Sequence, residues 1–382
     1  MPFKCIKIGI RHNLIYPLMY LILINILRVN RIIIDELIDL HLLIIYPLLK
    51  FICTIILSSI ILYLQNKHRK LNINTKIMGI SLIKNQGRMK RLDREYKILI
   101  LIFLSSYFDS IGGLRKYYLS RLLLNDKENK ELKDVDTRIR SREIFFSSLL
   151  CYLTIRIKLY KHHKISLTII FICLILSIII EIIQMYSIIN KGETIFYYII
   201  MQFFIIICRV NSDIIDKYLF EFNYVDPFKA LIYKGTIETL LILFFTNDLI
   251  EDIHKILEKK ISIIILLIYF IVSGFKTIYR ILTVKIYSPM TRTLVDSFLD
   301  IFFNIYYYWD IIKGNEILRI TCFWIDSFLK AIIIFFNCIF NELFVLYCYG
   351  MEKNTYLEIT ERAINIELRR EDRTTIFSLF NE

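Results

Sequence analysis

The feature that most constrains this chain is a series of apolar runs, most of them about 20 residues long, separated by basic segments. A helix of about 20 residues spans the hydrocarbon core of a bilayer, and in lipid only an element that satisfies its own backbone hydrogen bonds can cross. The runs fall at 13–33, 43–64, 97–114, 144–159, 165–187, 195–214, 229–248, 261–282, 289–309 and 320–348. They predict an all-α polytopic membrane protein of about ten transmembrane helices. The first and fourth are short or interrupted by charge, which keeps counts of eight and nine open. A hydrophobic share of 56% is too high for an ordinary soluble domain.

Net charge is +13, which in a soluble chain would point to nucleic acid. Here the Lys and Arg lie between apolar runs, where the positive-inside rule accounts for them, and no nucleic-acid module is present. An even span count puts both termini on one side. The basic segment after the second run (Lys67, Arg69, Lys70, Lys76, Lys84, Arg88, Lys90, Arg91, Arg94, Lys97) assigns that side to the cytoplasm. Arg156, Lys158, Lys161 and Lys164, then Lys276, Arg280 and Lys285, agree; the segment 114–143, with nine Lys and Arg, does not. Residues 13–27 lack a small-residue cleavage pattern and read as a retained first helix. The eight cysteines have neither disulfide nor metal-like spacing. Residues 356–370 form one amphipathic stretch, read as a helix on the bundle or membrane surface.

Ionisable groups inside apolar runs carry the functional information, because a charge at membrane depth is costly and usually faces a bundle interior or a wet cavity. The stretch from Tyr287 to Asn304 is the clearest case. Ser288-Pro289 reads as a helix start, and Arg292, Asp296 and Asp300 follow at steps of four, on one stripe. Two readings stand side by side: charges lining a pathway, or a structural pair near the membrane edge with Arg292 snorkelling outward. Asp326 and Lys330 repeat the spacing in the tenth run. Asp109, Glu181, Arg209, Asn211, Asp213, Glu238, Asn337 and Asn341 complete the set. The runs holding Asp109, Arg292 and Asp326 are candidates to share one polar interior.

Catalytic readings fare poorly: there is no nucleophile elbow, no HExxH and no glycine-rich phosphate loop. His162-His163 sits in the basic segment Lys158–Lys164, where a solvated or headgroup-facing loop fits better than a metal site. Tyr306-Tyr-Tyr-Trp309 fits an interfacial aromatic belt. No enzyme activity, metal or cofactor is predicted.

Three stretches carry a family likeness: Thr137–Phe146 followed by Ile155–Leu167; Asp216–Ala230 leading to Tyr233-Lys-Gly235; and Thr283–Ser297. In order and spacing they resemble the drug/metabolite transporter superfamily, in its nucleotide-sugar-transporter-like (solute carrier family 35-like) branch. The resemblance implies two inverted five-helix repeats, residues 1–190 and 191–350, a cytoplasmic tail at 351–382, a central cavity and alternating access. It also implies an endomembrane of Golgi or ER type in preference to the plasma membrane. Arg138, Arg140 and Arg142 approach the fourth helix much as Arg292 opens the ninth. Lys234 departs from the acidic residue that commonly precedes the glycine, and the fourth helix lacks its usual glycine.

The expected function is therefore a secondary transporter or exchanger of a polar, anionic metabolite resembling a nucleotide sugar. Arg138, Arg142 and Arg292 would attract the anion, Asp296, Asp109 and Asp326 would balance charge or take a coupled proton, and Lys330 and Glu238 complete the substrate-binding set. Its partners would be the lipid bilayer and a small-molecule substrate, with a homodimer open. The alternative is a non-transporting membrane scaffold or partner-binding protein that keeps the bundle. A transporter should offer a polar cavity at mid-depth, and a scaffold should close its charges into pairs.

Overall fold

The computed structural model describes residues 6–8, 15–33, 42, 44–69, 95–113, 143–154, 159–189, 192–258, 261–298, 317–347, 350, 351 and 355. In chain order the helices are α1 (Ile15–Ile32), α2 (Ile45–Arg69), α3 (Glu95–Gly113), α4 (Glu143–Thr154), α5 (Lys161–Ile189), α6 (Gly192–Glu221), α7 (Pro227–Ile242), α8 (Thr246–Glu258), α9 (Ile261–Ile286), α10 (described over 289–298) and α11 (Ile317–Phe340). Among the described residues a two-stranded antiparallel ribbon, β1 (Ile6–Ile8) on β2 (Phe344–Leu346), is the exception to the all-α expectation; it pairs Ile6 with Leu346 and Ile8 with Phe344.

Among the described residues five helices are long and apolar enough to cross a membrane: Ile45–Lys67, Lys161–Tyr186, Ile195–Glu221, Ile263–Ile286 and Ile320–Phe340. Ile15–Asn30 and Glu143–Thr154 are shorter apolar helices. Burial is inverted relative to a water-soluble bundle. On α5 the outward face is Ile172, Ile175, Leu176, Ile179 and Ile183, whereas Ser166, Ser177, Glu181 and Gln184 point inward. A surface of that kind is stable only against lipid, and the protein is a membrane-embedded, multi-pass helical bundle.

Helix starts follow local chemistry. Asp226 caps α7, its carboxylate accepting from Phe228 N at 2.9 Å and Lys229 N at 3.4 Å, with Pro227 at the first helical position. Ser288 caps α10 in the same way, Oγ accepting from Thr291 N at 3.1 Å. The start of α2 is capped from a distance: Asp252 of α8 accepts from Ile44 N at 2.8 Å and Ile45 N at 3.2 Å.

Four boundaries differ from expectation. The run 229–248 is not one span: α7 ends at Ile242, a 3-10 turn covers Leu243–Phe245, and the amphipathic α8 follows. Thr246-Asn-Asp-Leu-Ile-Glu-Asp252 is too polar to continue through lipid. Helix α6 runs past 214 to Glu221, so Asp216 and Lys217 are helical and not part of a linker. Helix α9 continues to Ile286, so Lys276, Arg280 and Lys285, assigned to a cytoplasmic loop, lie on a helix. The predicted run 320–348 stops at Phe340, where the chain turns into β2. Arg138, Arg140, Arg142, Asp300, residues 306–309 and the stretch 356–370 lie outside the described residues.

Helix α5 packs along α11, α2 along α7 and α9, α1 along α9, α3 along α6 and α7, and α4 along α6. Glycine brings α2 close to two neighbours. A Cβ on Gly235 would lie 2.6 Å from Ile55 and 3.2 Å from the Phe51 carbonyl, and one on Gly274 would lie 2.5 Å from Cys53 Sγ.

Candidate functional site

The bundle interior is organised by charge. Arg292, fully buried on α10, touches three carboxylates: Asp296 one turn on at 2.6 Å, Glu143 at the start of α4 at 2.8 Å, and Asp213 of α6 at 2.7 Å. Arg209 of α6 pairs with the other oxygen of Glu143 and lies 3.6 Å from Asp296. Tyr20 of α1 donates to Asp296 at 2.9 Å. Asp213 passes the chain of contacts on: its second oxygen meets Arg280 of α9 at 2.8 Å, and Arg280 reaches Asp109 of α3, also at 2.8 Å. Lys50 of α2 closes the series on Asp109 at 3.3 Å.

A second group lies between α3, α6 and α7. Lys234 contacts Asp216 at 2.8 Å, Ser105 Oγ at 2.9 Å and Ser212 Oγ at 3.4 Å, and Ser105 donates to Asp216 at 2.7 Å. Lys234 thus has its compensating acid one helix away, on α6. Glu238, one turn along α7, is buried, and its Oε1 has no hydrogen-bond partner.

Taken together, Lys50, Arg209, Lys234, Arg280 and Arg292 face Asp109, Glu143, Asp213, Asp216, Glu238 and Asp296. Among the described residues of these two groups, five cations against six acids leave one negative charge if every group is ionised. Each buried ion costs several kcal/mol of desolvation, recovered only through close pairing, so a surplus charge in this interior is expensive. A proton or a bound cation removes it.

Of the predicted site residues, the structure joins Arg292, Asp296 and Asp109 in one network, with Glu238 beside it. Arg292 does not snorkel; it is fully enclosed. Asp326 and Lys330 pair with each other at 3.3 Å, and Asp326 accepts from Ser177 of α5 at 2.9 Å. They serve the α5–α11 contact and do not touch Arg292. Arg138 and Arg142 lie outside the described residues. His162 is buried, not solvated, contrary to the loop reading.

Tyr20, Lys50, Glu143, Asp216 and Arg280 are members that pattern reasoning missed. A lysine six residues into the α2 helix was a signal for Lys50. Arg280 was masked because a cation near the end of an apolar run reads as a topology signal. Glu143 opens a helix and reads as a cap. No known protein family and no curated protein matches this chain.

Proposed function

We propose that the protein is a secondary transporter or exchanger of a polar metabolite, anionic where it meets the Arg292 cluster, working by alternating access. The observation that carries this reading is the charge network: it draws residues from α1, α2, α3 and α4 and from α6, α9 and α10 into one buried set of contacts, with Lys234 of α7 tied to α3 and α6 in a second set. Apolar residues of similar volume would hold a static bundle at least as well. Charges that link two halves across a membrane interior suit a machine in which those links exchange partners.

The packing supports a two-repeat arrangement of the kind the family resemblance implies. Under the exchange α1 with α6, α2 with α7, α3 with α9, α4 with α10 and α5 with α11, the main contacts map onto one another. The pairs α2–α7 and α5–α11 map onto themselves, α1–α9 onto α3–α6, and α2–α9 onto α3–α7. The α4–α6 contact maps onto α1–α10, represented by Tyr20 with Asp296 and Val295. In this scheme α8 is an amphipathic insertion between the second and third helices of the second repeat.

Within that reading Arg292 is the anion receptor, held by its own carboxylates while substrate is absent. Glu238, not Asp109 or Asp296, carries the coupled proton, since those two are committed to ion pairs. An endomembrane setting follows from the family resemblance. A non-transporting scaffold is the second reading, and the enclosure of Arg292 by three carboxylates of its own chain favours it. Uptake into proteoliposomes loaded with nucleotide sugars, nucleotides or small organic anions separates the two. Exchange of one class that is lost in folded Arg292→Lys supports transport, because an ammonium cannot reproduce the guanidinium fork. Folded protein that moves none of these classes supports the scaffold.

A further inference from the structure

His162 and His163 open α5, and Glu342 follows α11 directly, so the pairing of those two helices brings three ligand-type side chains to one point. His162 Nε2 lies 3.1 Å from His163 Nε2 and 3.5 Å from Glu342 Oε1, and one ligand atom from each of the three residues lies within 4.8 Å of the other two. A tetrahedral ion with bonds of about 2.0–2.1 Å needs ligand atoms about 3.3–3.4 Å apart. Two of the three separations are therefore close to a coordination edge, and the third requires a small closing movement of a side chain.

The backbone at Glu342 adds an independent observation. Leu343 N donates to Cys338 O at 2.9 Å and Glu342 N to Ile339 O at 3.0 Å, which makes Glu342 the left-handed residue of a Schellman turn, with φ 58°. Glycine is the usual occupant, since a side chain there is strained. The turn has no use for a carboxylate, yet one is present and is turned inward to within 3.5 Å of a buried imidazole. The His163 ring is held against Phe340, with centroids 4.7 Å apart.

We propose that His162, His163 and Glu342 bind a divalent transition metal of the zinc type, which clips the start of α5 to the end of α11. Imidazole nitrogen with carboxylate oxygen suits zinc better than calcium or magnesium, which prefer all-oxygen sets. Three protein ligands leave a fourth position for water. Tyr160 N donates to His163 Nδ1 at 3.1 Å, so in the metal-free ring the proton sits on Nε2, between the two imidazoles. The metal takes the place of that proton, which moves to Nδ1, and the Tyr160 bond is given up.

The test uses the full chain in detergent, stripped with chelator, then titrated with zinc chloride while thermal unfolding is followed and bound metal is counted by elemental analysis. One equivalent of zinc should bind and raise Tm by several degrees at saturation, with magnesium chloride inert. His162→Ala should lose the shift. Glu342→Gly should have a higher Tm than the parent in metal-free buffer, because the left-handed position is relieved, and should still show no zinc shift. That combination distinguishes a ligand from a structural side chain. A parent that binds no stoichiometric zinc overturns the proposal, as does a zinc shift retained in either variant.

Discussion

Asp213 of α6 lies 2.7 Å from Arg292 of α10 through one oxygen and 2.8 Å from Arg280 of α9 through the other, so a single buried carboxylate joins two guanidinium groups from different helices. The Arg292–Asp296 stripe is therefore not a self-contained pair. It is one part of a network that can be perturbed at several points with different results.

Replacing Arg292 tests the network as a whole. Arg292→Ala removes the cation shared by Glu143, Asp213 and Asp296 and should cost about 3–5 kcal/mol. Removing Asp296 as well should not restore stability, since Glu143 and Asp213 remain short of charge. Folded yield and thermal midpoint in detergent measure both. Full recovery in the double variant would show that Asp296 is the only partner that matters.

Glu238 should respond in the opposite way. Glu238→Gln removes the surplus acid and leaves a neutral isostere, so stability should be kept or raised, whereas Asp109→Asn strands Arg280 and Lys50 and should lower it. The charged groups acting on Glu238 are Lys50 of α2, Asp109 of α3, Lys234 on its own helix and Arg280 of α9. With a proton carried by Glu238, uptake by the parent should depend on an imposed pH gradient and uptake by Glu238→Gln should not. A gradient dependence unchanged in the variant assigns the proton elsewhere.

Gly274 sets the distance between α9 and α2. Gly274→Ala places a methyl 2.5 Å from Cys53 Sγ and 2.8 Å from Leu57 Cδ1, an overpacking cost of about 1–3 kcal/mol. Cys53→Ala makes room for that methyl, and a double-variant cycle should return a coupling energy of rescuing sign. Additive effects would mean that the helices separate instead of packing around the change.

Asp252→Ala should cost about 1 kcal/mol by uncapping α2 from the neighbouring helix, and Asp252→Asn should retain most of that stability. Hydrogen exchange at Ile44 and Ile45 reads the effect locally. Unchanged protection would exclude the cap.

Under the proposed two-repeat topology, cysteines introduced near Lys84 and near Lys353 should label from the same, cytoplasmic side. Labelling from opposite sides would remove an even span count.

The sequence by itself determined that this is a membrane bundle, roughly where its helices run, and that Arg292 and Asp296 share a helix face. Run length, the absence of water to satisfy a backbone, and 3.6-residue periodicity are local properties that a linear pattern carries. Serine and proline at 288–289 marked a helix start for the same reason. Tertiary structure alone decided which charges meet. Lys50 and Arg280 are unremarkable cations near the ends of apolar runs until α2, α3 and α9 pack together around Asp109. His162 reads as a basic-loop residue until α11 brings Glu342 beside it. A buried charge is tolerated only when its partner is in place, and these partners lie on other helices, so the pairings depend on the packing and cannot be read along the chain.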